Sequence, residues 1–279
     1  MSADFSTQGQ VAPDSHKLKR VKLDLDDIAN IVLFLAAFVG IWQLVYVLGI
    51  WPKVSLPSPM IVATTALGLV EDLSLISGIG MTLLRLLVGF SISMAVGTAV
   101  GLVMVRFKGF GKTMSSFAVG FQTFPSIAWI PFAILLIGFD DYGILFVVIM
   151  SSIFSVMSST YSGIRNVPTI YIEAGRNMGA GGISLFKNLM IPAATPSLII
   201  GMRQSWSFAW HALIGAEMLI TAMVGLGFIL SVGRELQIMA QVITAMITIF
   251  VIGLLSDRFI FLKLEEKVRA KWGLNQNNG

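Results

Sequence analysis

The chain has no cysteine, which excludes disulfide scaffolds, thiolate zinc sites and thiol nucleophiles and leaves the redox compartment undetermined. Charge is scarce as well. Only 12% of the 279 residues are Asp, Glu, Lys or Arg, about half the share found in an ordinary soluble domain. Gly111-Lys112-Thr113 is similar to the end of a phosphate-binding loop, but Arg106 stands where the leading glycine belongs and no strand precedes it. ATP binding by this chain is therefore rejected, and no cofactor is expected. The glycines around Gly179 do not complete a dinucleotide fingerprint, no nucleophile elbow is present, and no paired metal-ligand motif lies on any helix. No catalytic residue and no metal ligand are expected. The absence of an internal repeat removes the usual signature of a secondary transporter.

Apolar residues fill the space that charge leaves. They make up 56% of the chain, with a mean hydropathy of +0.84, and lipid is the solvent that such a composition suits. Runs long enough to cross a bilayer lie near 28–48, 82–105, 114–138, 142–159, 198–220 and 238–255. The sequence thus predicts an all-α integral membrane protein of six transmembrane helices. The first span follows a polar segment containing Asp24, Asp26 and Asp27 with no cleavage site after it, so it reads as retained. Residues 1–27 read as a disordered or amphipathic tail, 50–81 as an outer loop with a short helix, 82–257 as the core and 258–279 as a second tail. Nucleic acid is not an expected partner, because the basic residues flank apolar runs instead of forming a patch among aromatics.

Lys and Arg set the orientation. With the N-terminus inside, the inner segments hold Lys17, Lys19, Arg20, Lys22, Arg106, Lys108, Lys112, Arg165, Arg176, Lys187, Arg258, Lys263, Lys267, Arg269 and Lys271. Only Lys53 and Arg234 fall outside, while Arg85 and Arg203 fall within spans. Both termini are therefore expected in the cytoplasm. In the first outer loop, Ser58 can cap a short helix whose first turn begins at Pro59. Gly97 and Gly101 offer a small-xxx-small spacing for close helix packing. Pro125 and Pro131 interrupt the third span, as a kinked pathway helix or as simple packing.

Polar side chains inside spans are functional candidates by default, because lipid penalises them unless they are paired or wetted. Arg203, Gln204, Ser207, Trp210, His211 and Glu217 fall within one arc of about 140° at 100° per residue. This face is expected to line a translocation pathway or an interior seam. Arg85 and Glu217 match in depth near the outer side, which suits a structural or gating ion pair better than substrate contact. Gln122, in the third span, completes the set of pathway or gating candidates. His211 is open between a hydrogen bond to a neighbouring helix and contact with an anion.

The inner segment between spans four and five is the most informative stretch. Pro168 suits a first helical turn, Gly179, Gly181 and Gly182 suit a helix stop and reversal, and Ser184 can start the next stretch toward Pro192. Glu173-Ala174-Gly175, Gly179, Leu189 and Ile191-Pro192 resemble, in spacing throughout, the cytoplasmic coupling loop of ABC-importer permeases. The departures are Gly175 for an alanine, Leu189 for isoleucine and Ile191 for leucine; the glycine is expected to loosen the coupling helix without shifting its register. Leu56-Pro57-Ser58-Pro59, Arg85 with Gly89-Phe90, Pro125 to Pro131 and Ala216-Glu217-Met218 resemble the nitrate, sulfonate, taurine and bicarbonate branch.

The resemblance implies a type I importer permease fold in the plasma (inner) membrane, with Glu173, Ala174, Gly175, Gly179, Phe186, Leu189 and Pro192 docking a cytoplasmic ATPase. It also implies a second copy of the chain, two ATP-binding subunits that hold the nucleotide, and an extracytoplasmic solute-binding protein. The solute would be a small anion such as nitrate, bicarbonate, a sulfonate or taurine, with pyrimidine-like nutrients as an alternative. The rival reading is an ion-driven secondary transporter that uses Glu217 and His211 as a proton relay.

Overall fold

The structure, a computed structural model, describes residues 25–220 and 223–271. Of the tail predicted over 1–27, residues 1–24 lie outside these residues, with the inner cations Lys17, Lys19, Arg20 and Lys22, while residues 25–27 already belong to the first helix. Among the described residues every regular element is helical. Helix α1, Leu25–Val47, belongs to a unit of its own, and all other helices belong to the second unit.

The second unit opens with α2, Pro59–Glu71, whose Ser58 cap accepts the Ile61 N–H at 3.3 Å and whose first residue is proline. Helix α3 runs over Ser74–Arg106, so the outer loop ends eight residues earlier than the hydropathy suggested. Asp72 explains the early start: its Oδ1 accepts the Ser74 N–H at 2.9 Å, satisfying a first-turn donor that has no helical partner. The third apolar run is two helices, α4, Lys108–Thr123, and the segment Ser126–Leu136, meeting at 100°. That segment is a 3₁₀ turn leading into α5, Ile130–Leu136. The bend sits at Phe124, extended as a residue before proline must be, and Pro125, which has no N–H to continue α4.

Helices α6, Asp141–Arg165, α7, Thr169–Asn177, and α8, Gly182–Leu185, follow. A π-helical turn, Phe186–Met190, joins α8 to α9, Ile191–Leu219. Its wider turn lets the chain pass Pro192, which cannot donate to an α-helical ladder. After α9 comes α10, Leu226–Glu235, which hydropathy did not predict, and then α11, Met239–Ser256. A second π-helical turn, Asp257–Leu262, carries the last span into α12, Lys263–Lys271, where a separate tail was expected. By length and composition, five helices among the described residues can cross a membrane, or six if the bent pair counts as one span.

Helices α3, α6 and α9 form the centre. On α3, Gly89, Gly97 and Gly101 face Val148, Val156 and Thr160 of α6 so closely that an added Cβ would lie 2.7, 2.8 and 2.6 Å from them. Gly201 of α9 meets Ser159 in the same way. In lipid there is no hydrophobic drive between helices, so such close approach and the dispersion contacts it permits hold the bundle. A buried hydrogen bond from Ser152 to Ser93, 2.8 Å, adds a polar tie between α3 and α6. Leu86, Ile144, Val147, Val148, Leu213 and Ile220 fill the space around this seam.

Candidate functional site

At the end of the bundle away from α7, four elements meet around one carboxylate. Glu217, near the end of α9, is 1% exposed and accepts hydrogen bonds from Arg85 Nη1 at 2.7 Å, Thr82 Oγ1 at 2.8 Å and the Gly227 N–H at 3.0 Å. Thr82 accepts in turn from the Leu226 N–H at 2.9 Å. The first two donors of α10, which have no partner in their own helix, are thereby satisfied, and a negative charge sits at that helix's positive end. Gly225 is required here: its φ is +158° and a Cβ would lie 2.7 Å from the Glu217 carboxylate. Arg85 is 5% exposed and also donates to Asp141 at 2.6 Å and to the Val224 carbonyl at 2.6 Å. Asp141, the first residue of α6, is 52% exposed.

A groove runs along α9 toward the other end, facing α10 and α11. Its cavity, about 950 Å³, is lined by Arg203, Gln204, Ser207, Trp210 and His211 on α9, and by Leu230, Met246, Ile249, Phe250 and Gly253 opposite. The wall is mostly apolar, and the polar groups come from one helix face. Gln204, Ser207 and His211 are exposed to the groove and have no hydrogen-bond partner within the chain among the described residues. At the α7 end, Arg203 grips Asp257 through two bonds, 2.5 and 2.6 Å, with Glu265 of α12 at 3.6 Å. Trp206 packs edge-on against Phe90 at 5.1 Å and against Phe261 at 5.7 Å, tying α9 to α3 and to the π-helical turn.

The loop between α6 and α9 has a buried side and a bare side. Helix α7 closes with the Gly179 N–H bonded to Arg176 O and the Ala180 N–H to Gly175 O, both 2.9 Å, with Gly179 at φ +86°. This is the paired C-terminal closure that a left-handed glycine permits. Gly175 is buried, and a Cβ there would come within 2.8 Å of Leu189 and 2.9 Å of Leu185. It therefore seats α7 on the following helix, and the expected loosening gives way to closer packing. Phe186 packs on Ile164, Val167 and Ala194. Glu173, Ala174 and Gly179 are exposed, as are Met178 at 88% and Ile183 at 84%. Two large apolar side chains thus flank a glycine turn at the end of the bundle.

The sequence profile of the family "binding-protein-dependent transport system inner membrane component" matches residues 91–265. The chain belongs to this family. The permease is 31% identical over 179 residues to the nitrate import permease protein NrtB of Synechocystis, covering 64% of this chain and 65% of that one. It is 30% identical over 234 residues to a protein of Escherichia coli K12 named as the aliphatic sulfonates transport permease SsuC, covering 84% and 88%. Its fold is similar to that of the MetNI methionine ABC transporter in inward-facing conformations, with a TM-score of 0.55, 20% identity and coverage of 72% and 97%. The permease is thus a multi-pass inner-membrane component of an ABC-type transport system.

Five of the residues assigned to the α9 face line the permease's groove, and three assigned pathway residues, Arg85, Gln122 and Glu217, do not. Glu217 lies about 120° round the helix and about 9 Å along it from His211, buried against α3 and α10. The proton relay of the rival reading is therefore not assembled. Gln122 donates to the Ala118 and Phe154 carbonyls at 3.2 and 3.5 Å, so it bridges α4 and α6 and takes no part in the groove. Sequence reasoning missed Thr82, Asp141 and the start of α10. The one available signal was Asp141 opening a span at the depth of Arg85.

Proposed function

We propose that the chain is one half of the membrane pathway of an ATP-driven importer for a small anion, working with a second copy of itself. Two cytoplasmic ATP-binding subunits dock on the loop from Glu173 to Pro192, and an extracytoplasmic solute-binding protein delivers solute at the opposite end. Both termini are cytoplasmic in this reading, and the chain itself performs no catalysis. ATP is bound and hydrolysed by the partner subunits.

The observation that carries the reading is the bare side of the loop. Met178 and Ile183 project from a rigid glycine turn whose other side is buried. A short helix with exposed apolar side chains suits a groove on a partner. Glu173 stands beside them, exposed and able to pair with a basic rim. The groove along α9 supports the pathway assignment, because lipid would leave Gln204, Ser207 and His211 without partners. The solute class is carried over from the relatives named for nitrate and aliphatic sulfonates; bicarbonate and taurine are of the same kind.

Co-purification with its ATP-binding subunit tests the loop. Glu173→Arg and Met178→Asp are expected to abolish co-purification while the permease keeps its thermal stability in detergent. Wild-type recovery of the ATPase with both variants refutes the docking assignment.

A further inference from the structure

The two arginines that the apolar runs enclose, Arg85 and Arg203, are already matched by carboxylates. Arg85 is held by Glu217 and Asp141, and Arg203 is held by Asp257 with Glu265 nearby. Neither offers an uncompensated charge to the groove. Among the described residues the groove's only other charged wall residue is Asp257, bonded to Arg203 at the α7 end; the facing residues of α10 and α11 are apolar. Among the described residues His211 is the one remaining group there that can carry positive charge, and it has no partner among them. Within the apolar run 198–220 it stands 13 residues from one end and 9 from the other, about 20 and 14 Å of helix. That places it near the middle of a hydrocarbon core about 30 Å thick, where an isolated anion is least tolerated.

Resting on the proposed pathway, we infer that His211 is the specificity-determining residue: its imidazole meets the solute's charge and hydrogen-bond acceptors at mid-membrane, and the two arginines do not touch the solute. Two copies of the chain would present two such imidazoles. Ser207 and Gln204, one and two turns nearer Arg203, supply uncharged hydrogen bonds along the same wall.

The test uses the complete transporter in proteoliposomes, with ATP inside and labelled nitrate, bicarbonate, ethanesulfonate and taurine as probes. For the probe that wild-type protein takes up best, His211→Gln is expected to raise KM about tenfold or more. His211→Lys is expected to restore uptake, and co-purification of the ATPase with each variant reports folding. Wild-type KM in His211→Gln overturns the role of His211 and leaves the importer reading standing. Absence of ATP-dependent uptake of every probe by wild-type protein overturns both.

Discussion

Replacing Glu217 tests the polar node directly, because its three hydrogen-bond donors come from α3 and α10 and not from its own helix. Glu217→Ala removes the buried partner of Arg85 and strands the Thr82 hydroxyl and the Gly227 N–H. Breaking a buried ion pair by deleting one member costs about 3 to 5 kcal/mol, and Asp141, still bonded to Arg85, brings the expectation to the lower end. Glu217→Gln preserves shape but turns an amide donor toward groups that already donate, for about 1 to 3 kcal/mol. Asp141→Asn, at a half-exposed position, is expected to cost no more than about 1 kcal/mol. The order of thermal stability in detergent is therefore wild type, Asp141→Asn, Glu217→Gln, Glu217→Ala. The gap between first and last is about 6 to 12 °C, at about 2 to 4 °C per kcal/mol. A cycle combining Arg85→Gln with Glu217→Gln should show strong coupling. Equal stability of Asp141→Asn and Glu217→Gln, or additive effects in that cycle, would refute the assignment of Glu217 as the centre of the node.

Gly101→Leu drives a side chain into Thr160 and the Met157 carbonyl, 2.6 and 2.9 Å from the Cβ position. Overpacking of about 1 to 3 kcal/mol or more is expected, measurable as a lowered melting temperature in detergent. Gly175→Ala forces Leu189 and Leu185 aside, and Leu189→Val in the same chain should restore most of the ATPase co-purification that the single change removes. The Asp72 carboxyl lies below its ordinary value of 3.8 because Ser74 hydrogen-bonds its charged form. Its contribution to the start of α3 is present above that ordinary value and is lost as pH falls through the lowered one. Asp72→Asn should therefore flatten the acid limb of a stability profile below about pH 4, monitored by circular dichroism.

The spans were legible because apolar runs of bilayer length have few alternative explanations. The loop between α6 and α9 was legible because its motif is local. Pro168, Gly179 and Pro192 act within a few residues of themselves, and α7 begins and ends where they direct. What sequence could not supply was contact across distance. Arg85 meets Asp141 and Glu217 from positions 56 and 132 residues away, and matching depth suggested only the second. Pro125 marked a break in the third run, but the 100° turn depends on the aromatic packing of Phe121, Trp129 and Phe154 around it. Helix α10 escaped notice because its ten residues are too few for a hydropathy window, although Leu226, Ile229 and Gly233 sit at helical spacing on its buried face. Glu217 shows the limit of a helical-arc argument. An angle places a residue on a helix, and the neighbour across from it decides whether that residue meets a groove or a guanidinium.

The central claim is that ATP hydrolysis by a partner enters the membrane through the loop from Glu173 to Pro192. Uptake by proteoliposomes holding the permease, its ATP-binding subunits and its binding protein measures this most directly, with wild type and Glu173→Arg compared with and without ATP and with and without a protonophore. Wild-type uptake should require ATP, ignore the protonophore and vanish in Glu173→Arg. Uptake that proceeds without ATP, collapses with the proton gradient and survives Glu173→Arg would contradict it.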